Sequence, residues 1–316
     1  MAVVKIKRVG IVGFGTMGPR IASACIVHGQ ETYVYDKAPQ ALEKGVKWVQ
    51  DRIGQEVAGG RLSGEEAEAS LARLHPAASL QACLARVDLV VENVPEDLEI
   101  KRQVWAEIDR LAPAEALICT NSSSLPVSKI YDATSRPEKC FNVNFNIDPL
   151  KYKPVEIMRG AKTSAETLVA GEQWVKSIGE VPIVCFKEIM GFAFNRTWRA
   201  IKREVLHLYA NGHTTPEDLD RCWMLEFEMP FGPFGLMDMI GLDVVRDIER
   251  QYYLESRDER DKPPEFLEEM IARGELGVKT GRGFYTYPDP AYQDPDWLEM
   301  KGRHQRDLAK MLGLKE

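Results

Sequence analysis

The chain reads as an α/β protein: an N-terminal doubly wound parallel sheet with an inserted helical hairpin, followed by an all-α C-terminal domain. Three observations predict this. Short apolar strand runs alternate with helix-patterned segments in the first half; the first run opens into a glycine-rich turn; and apolar spacing beyond residue 189 is helical throughout.

Val9-Gly10-Ile11-Val12 forms the first strand run and meets Gly13-Phe14-Gly15-Thr16-Met17-Gly18. A helical pattern follows through Ile21, Ala24, Cys25 and His28 to Gly29. Thr32 to Tyr35 is the second strand and ends on Asp36. Residues 39 to 76 carry two helices: Ala41, Leu42, Val46, Val49 and Ile53 keep helical spacing to the break at Gly59-Gly60, and SGEEAEASLARL resumes it. Val87 to Val91 and Ala116 to Thr120 are further parallel strands. FNVNFNIDPLKYKPVEIM, residues 141 to 158, is a strand-like run broken by Asn142, Asn144, Asn146 and Asp148, and it carries Glu156. Val181 to Phe186 is the last strand. The expected domains are residues 1–188 and 189–316, the second packed around Leu206, Tyr209, Leu219, Cys222, Leu236, Met239, Val244 and Ile248.

With 316 residues, 44% hydrophobic and 28% charged, the chain can bury two cores. A net charge of −7 with dispersed basic residues argues against nucleic acid as a partner. No apolar stretch approaches membrane-span length, so no membrane partner is expected. Six cysteines without a C-x-x-C pair fit reduced, packed thiols, and hence a cytoplasmic protein. His207 and His213 stand alone, and no spacing resembles a metal site.

A G-x-G-x-x-G between strand and helix, with a carboxylate eighteen residues after its last glycine, is a Rossmann-like dinucleotide fingerprint. Gly13 permits the tight turn, Gly15 admits the pyrophosphate, and Gly18 lets helix and strand pack, with Phe14, Thr16 and Met17 completing the loop. Asp36 is placed to accept hydrogen bonds from a ribose and to repel a 2′-phosphate, which favours NAD, although the neighbouring Lys37 weakens the discrimination.

Several motifs together resemble the 3-hydroxyacyl-CoA dehydrogenase family over nearly the whole chain: GFGTMG with Asp36, VENVPEDLEIK, TNSSSL, PVEIMRG, GFAFNR, PFGPFGLMDMIGLD and VKTGRGFYTY. The resemblance implies NAD as cofactor, a small-molecule substrate and a homodimer formed through the C-terminal domain. It implies that Glu96, Lys101 and Asn121 contact the cofactor, that Ser123 contacts nicotinamide or substrate oxygen, that Asn195 positions substrate, and that Lys279 lies near the cofactor. Glu96 with Lys101 also reads as a solvated pair, and Ser122 to Ser124 as a helix cap.

Three departures stand out. Family members place a histidine twelve residues before the glutamate matched by Glu156, and this chain has Asn144 there. The hairpin turn offers Gly59 where the family has a CoA-binding lysine, leaving Arg52 and Arg61 as substitutes. Arg199 and Lys202 share a helix face with Asn195, about 40° and 20° either side of it, and form either a carboxylate clamp or a solvated stripe.

The expected activity is therefore hydride transfer between NAD and a secondary hydroxyl of the 3-hydroxy or 3-oxo acid type, on a small carboxylate-bearing substrate. Glu156 is the preferred base, and Lys151, Tyr152, Lys153 or Asp148 could supply the proton instead. Alternative readings are a short-chain 3-hydroxyacyl-CoA dehydrogenase with altered acid/base groups, an amine or imine oxidoreductase, and a catalytically weak dinucleotide-binding protein.

Overall fold

The computed structural model describes residues 5–145, 150 and 154–306. Two compact units are present, divided between Phe194 and Asn195.

The first unit is built on one eight-stranded sheet. Its strands are β1 (Arg8–Val12), β2 (Glu31–Tyr35), β3 (Leu74–Pro76), β4 (Leu89–Glu92), β5 (Leu117–Thr120), β6 (Cys140–Phe145), β7 (Pro154–Met158) and β8 (Val181–Cys185), in spatial order β3-β2-β1-β4-β5-β6-β7-β8. Pairing is parallel except between β6 and β7. Helices α1 (Gly18–Val27), α2 (Pro39–Ala58), α3 (Gly64–Leu71), α4 (Leu80–Leu84), α5 (Leu98–Leu111) and α6 (Ala165–Ser177) make the connections. β1, β4 and β5 are apolar along nearly their whole length because helices cover both faces. Two buried clusters result, one containing Val9, Ile11, Ile21 and Phe141, the other Val12, Val90, Trp105 and Ile118.

Two details depart from expectation. Leu74–Pro76 is a short edge strand and not the end of the second hairpin helix, and it is too short to leave a periodic signature. The run 141–158 is not one strand but the antiparallel pair β6 and β7. Asn144 thereby lies directly opposite Glu156. Asn146, Ile147, Asp148, Lys151, Tyr152 and Lys153 lie outside the described residues.

The second unit contains α7 (Phe194–Ala210, all but its first residue), α8 (Pro216–Phe227), α9 (Pro233–Ile240), α10 (Leu242–Ser256) and α11 (Glu265–Ala272). Its core includes Leu206, Met224, Phe234, Met237, Leu242 and Tyr285, whereas Cys222, Met239, Val244 and Ile248, expected in the core, are exposed. Two buried carboxylates organise it. Asp220 accepts the Phe234 and Gly235 N–H groups at 2.8 Å each and the Tyr285 hydroxyl at 2.9 Å, so it caps α9 from a distance. Asp238 accepts the Phe284 and Tyr285 N–H groups and the Tyr287 hydroxyl. The segments PFGPFGLMDMIGLD and VKTGRGFYTY are thus tied to each other by hydrogen bonds.

Candidate active site

The glycine loop has the conformation its residues demand. Gly13 has φ +92°, and a Cβ there would lie 2.6 Å from the Asn93 carbonyl oxygen. A Cβ on Gly18 would strike the Gly13 carbonyl, whereas one on Gly15 would meet nothing within 4 Å. Gly13 and Gly18 therefore serve packing, and Gly15 leaves room for a ligand. α1 starts without a side-chain cap and without an acidic residue in its first turn, so its N–H groups can receive an anion.

A cavity of about 860 Å³ lies over this loop, at the C-terminal ends of β1, β2, β4 and β5. Gly13, Gly15, Thr16, Met17, Asp36, Lys37, Glu96, Asn121 and Ser123 all line it. Asp36 is fixed by two backbone donors, Phe14 N–H at 2.7 Å and Ala38 N–H at 2.8 Å. Its remaining lone pairs are free for ribose hydroxyls. The open space at Gly15, the uncapped helix start and the anchored carboxylate together fit NAD.

Two cofactor contacts expected from the sequence are corrected. Phe14 offers no surface: its ring is fully buried against Gly45 of α2, and its N–H is engaged by Asp36. Lys101 is completely buried, 2.9 Å from Glu92 and 3.4 Å from Glu96, and also reaches the Val94 carbonyl. It supports the cavity wall from beneath because its charge is compensated there. Glu92, which the sequence reading passed over, also accepts Trp105 Nε1 and the Val94 N–H.

Glu96 is exposed, but it is not an unpartnered surface residue. Burial works to push its carboxyl up, but hydrogen bonds from Ser122 and Ser124 and the charge of Lys101 outweigh this and hold it below the usual carboxylate range. Its bonds to Ser122, Ser124 and the Leu125 N–H shape the turn that presents Ser123 to the cavity. Asn142 is fully buried and pins the same turn, accepting from Val127 N–H and donating to the Leu125 carbonyl. It does not face a ligand, contrary to its place in the polar run.

At the centre of the β6–β7 pair, Asn144 Nδ2 donates to Glu156 Oε2 at 3.0 Å. The ionised carboxylate only accepts, which fixes the orientation of the Asn144 amide. Glu156 Oε1 accepts the N–H groups of Ala193 and Phe194 at 2.9 and 2.8 Å. Those donors are aimed by Gly191 and Phe192, both in the left-handed region, with φ +80° and +53°. Phe192 is not glycine, a conformation costing about 1–2 kcal/mol, and its nearly complete burial offsets that cost. Glu156 therefore anchors the Ala193–Phe194 segment that ends the first unit, as well as holding Asn144.

Arg199 and Lys202 do not form a free carboxylate clamp. Arg199 pairs with the buried Asp261 and stacks 4.1 Å from the Tyr252 ring centroid. Lys202 lies 2.5 Å from Glu249, with both side chains buried. Each cation already has an internal carboxylate. Lys279 pairs with Asp243 at 2.5 and 2.6 Å, and Asn195 sits half-buried on the first turn of α7.

A dinucleotide cavity over a Rossmann-like sheet, next to a strand pair carrying a carboxylate and an amide, defines an NAD-dependent oxidoreductase. Two family models match the chain, the 3-hydroxyacyl-CoA dehydrogenase NAD-binding domain over residues 8–189 and its C-terminal domain over residues 191–287. The chain belongs to the 3-hydroxyacyl-CoA dehydrogenase family and acts on CH–OH groups with NAD. It is 30% identical over 291 residues to a 5-formyl-3-hydroxy-2-methylpyridine 4-carboxylate 5-dehydrogenase of Mesorhizobium japonicum, covering 89% of this chain and 91% of that one. A 3-hydroxybutyryl-CoA dehydrogenase of Mycobacterium tuberculosis is 30% identical over 284 residues, covering 89% and 99%. The structure of (S)-3-hydroxybutyryl-CoA dehydrogenase from Ralstonia eutropha superposes with a TM-score of 0.82 at 34% identity, covering 90% of this chain and all of that one. Among the described residues, no helix is long and apolar enough to cross a membrane.

Proposed function

We propose that the enzyme interconverts a secondary alcohol and its ketone on a compact substrate bearing a free carboxylate, not on a long acyl-CoA. The observation that carries this reading is the helical hairpin. Glu56 binds Arg61 at 2.5 and 3.1 Å and Arg52 at 3.1 Å, so both candidate phosphate-binding cations are engaged by one shared carboxylate. The hydrogen bond from Arg61 holds Glu56 below the usual carboxylate range. Gly59 leaves room for the Arg61 guanidinium, which would lie 2.8 Å from a Cβ there. The Mesorhizobium relative is named for a substrate carrying a carboxylate, which agrees with this class.

The nicotinamide, when bound, supplies the hydride acceptor. Gly15, the start of α1 and Asp36 would hold the dinucleotide, with Thr16, Met17, Lys37, Glu96 and Asn121 around it. Ser123, which lines the cavity, positions the substrate. Asn144 hydrogen-bonds the reacting oxygen through its amide but exchanges no proton. Glu156 Oε2, which accepts one bond where Oε1 accepts two, takes the hydroxyl proton directly or through a water.

Comparing kcat/KM for free 3-hydroxy acids with that for their CoA thioesters tests this reading. It predicts an advantage for the free acid, and an advantage of about tenfold or more for the thioester refutes it. Homodimerisation through the C-terminal unit is supported by the exposed apolar side chains of Met239, Ile240, Val244 and Ile248 on α9 and α10, and sedimentation equilibrium tests it. A reducing cytoplasmic location is supported by six free cysteines, four of them buried.

A further inference from the structure

With Arg199 and Lys202 neutralised by Asp261 and Glu249, a carboxylate-bearing substrate needs another cation. Arg20 has the required properties. It lies in the first turn of α1, partly buried, and Nη1 donates back to the Thr16 carbonyl of the glycine loop. Its guanidinium carbon sits 4.9 Å from the centroid of the Trp48 ring on α2, which supports the planar group from one side. Among the described residues, no carboxylate lies within ion-pair distance of it. The other arginines discussed above, Arg52, Arg61 and Arg199, all have such a partner.

The position of Arg20 also separates it from the cofactor. The dinucleotide cavity is lined from the strand ends, α4 and α5, and takes no residue from α2. Arg20 extends the other way, to Trp48, on the side where α2 closes on the loop. That approach is close because Gly45 packs directly under the Phe14 ring, and Trp48 follows one turn later on α2. A guanidinium held by one carbonyl and one ring keeps donors in a planar fork that suits a carboxylate.

Resting on the free-acid reading above, we infer that Arg20, braced by Trp48, is the residue that recognises the carboxylate of the substrate. The arrangement selects a compact oxyanion bound beside the outer edge of the glycine loop. The pyrophosphate is served separately by Gly15 and the N–H groups of α1.

The test uses the full-length enzyme with NAD, a free 3-hydroxy acid and the methyl ester of the same acid. For Arg20→Ala, KM for the acid should rise about 10- to 100-fold, the range of one or two charge-assisted hydrogen bonds. kcat/KM for the ester and the Kd of NAD should each change by less than about twofold, a small fraction of the 1.4 kcal/mol that marks a decade. Trp48→Leu should give a smaller rise for the acid alone, because the charge remains but loses its support. Equal losses for acid and ester would mean a structural role and overturn the inference. Weaker NAD binding with an unchanged preference for the acid would assign Arg20 to the cofactor phosphates and overturn it too. If the unmodified enzyme prefers acid to ester and Arg20→Ala keeps that preference, the inference fails while the free-acid reading stands. If the unmodified enzyme prefers the CoA thioester, the free-acid reading itself falls.

Discussion

Replacing Glu156 by Gln separates the two tasks this side chain performs. The new amide keeps an oxygen for the Ala193 and Phe194 N–H groups, now 2.9 and 2.8 Å from Oε1. Its nitrogen would face the Asn144 Nδ2 donor, a conflict that a flip of the Asn144 amide removes. Three charge-assisted hydrogen bonds become neutral ones, at about 1 kcal/mol each, so stability should fall by roughly 3 kcal/mol at most. The proton acceptor, however, is gone. kcat should drop about 10²-fold or more, equivalent to at least about 2.7 kcal/mol of barrier. Glu156 does not line the cofactor cavity, so NAD affinity should be unchanged. Initial rates followed by absorbance of the reduced cofactor, with NAD titrated separately, measure both. Retention of kcat within about threefold, far short of the general-base contribution, would refute Glu156 as the acceptor. The converse change is equally informative. In Asn144→His the imidazole Nδ1 would fall near the present Nδ2, 3.0 Å from Oε2, leaving Nε2 for the substrate oxygen. kcat for an alcohol substrate should then rise about tenfold or more, and no change would place the reaction away from this strand pair.

Further outcomes follow from the geometry. Gly15→Ala should leave stability within about 0.5 kcal/mol, because its Cβ enters open space, yet weaken NAD about tenfold or more. Gly18→Ala should instead lower the thermal midpoint, since its Cβ meets the Gly13 carbonyl, and isothermal titration beside thermal melts distinguishes the two. Lys202→Met leaves Glu249 buried without its cation and should cost about 3–5 kcal/mol, while adding Glu249→Leu should recover most of it in urea titrations. Burial pushes Asp220 up to about 6 despite its three donors. A carboxylate whose folded pKa is raised stabilises the fold below its unfolded value near 4, and that contribution is lost as pH rises through about 6. The stability difference between wild type and Asp220→Asn should therefore shrink by about 2–3 kcal/mol between pH 4 and 7, and a difference independent of pH would contradict the assignment.

The sequence by itself determined the cofactor half and the family. The glycine loop, the strand ending on Asp36 and the helices around them are written in contiguous residues, and such signals need no knowledge of distant partners. The helical second unit was legible for the same reason. Asn144 and Glu156 were matched as positions twelve residues apart, but only the β6–β7 reversal put them face to face. Tertiary structure alone decided which charges are free. Lys101 meets Glu92 under the sheet, Arg199 meets Asp261, and Lys202 meets Glu249, each partner lying on a different element. Arg20, by contrast, keeps an aromatic support and no carboxylate. A cation on a helix face looks the same in sequence whether it is solvated, neutralised or poised for a ligand. The outcome depends on which carboxylates the fold brings within a few ångströms and on how much water it removes, and both are properties of long-range packing.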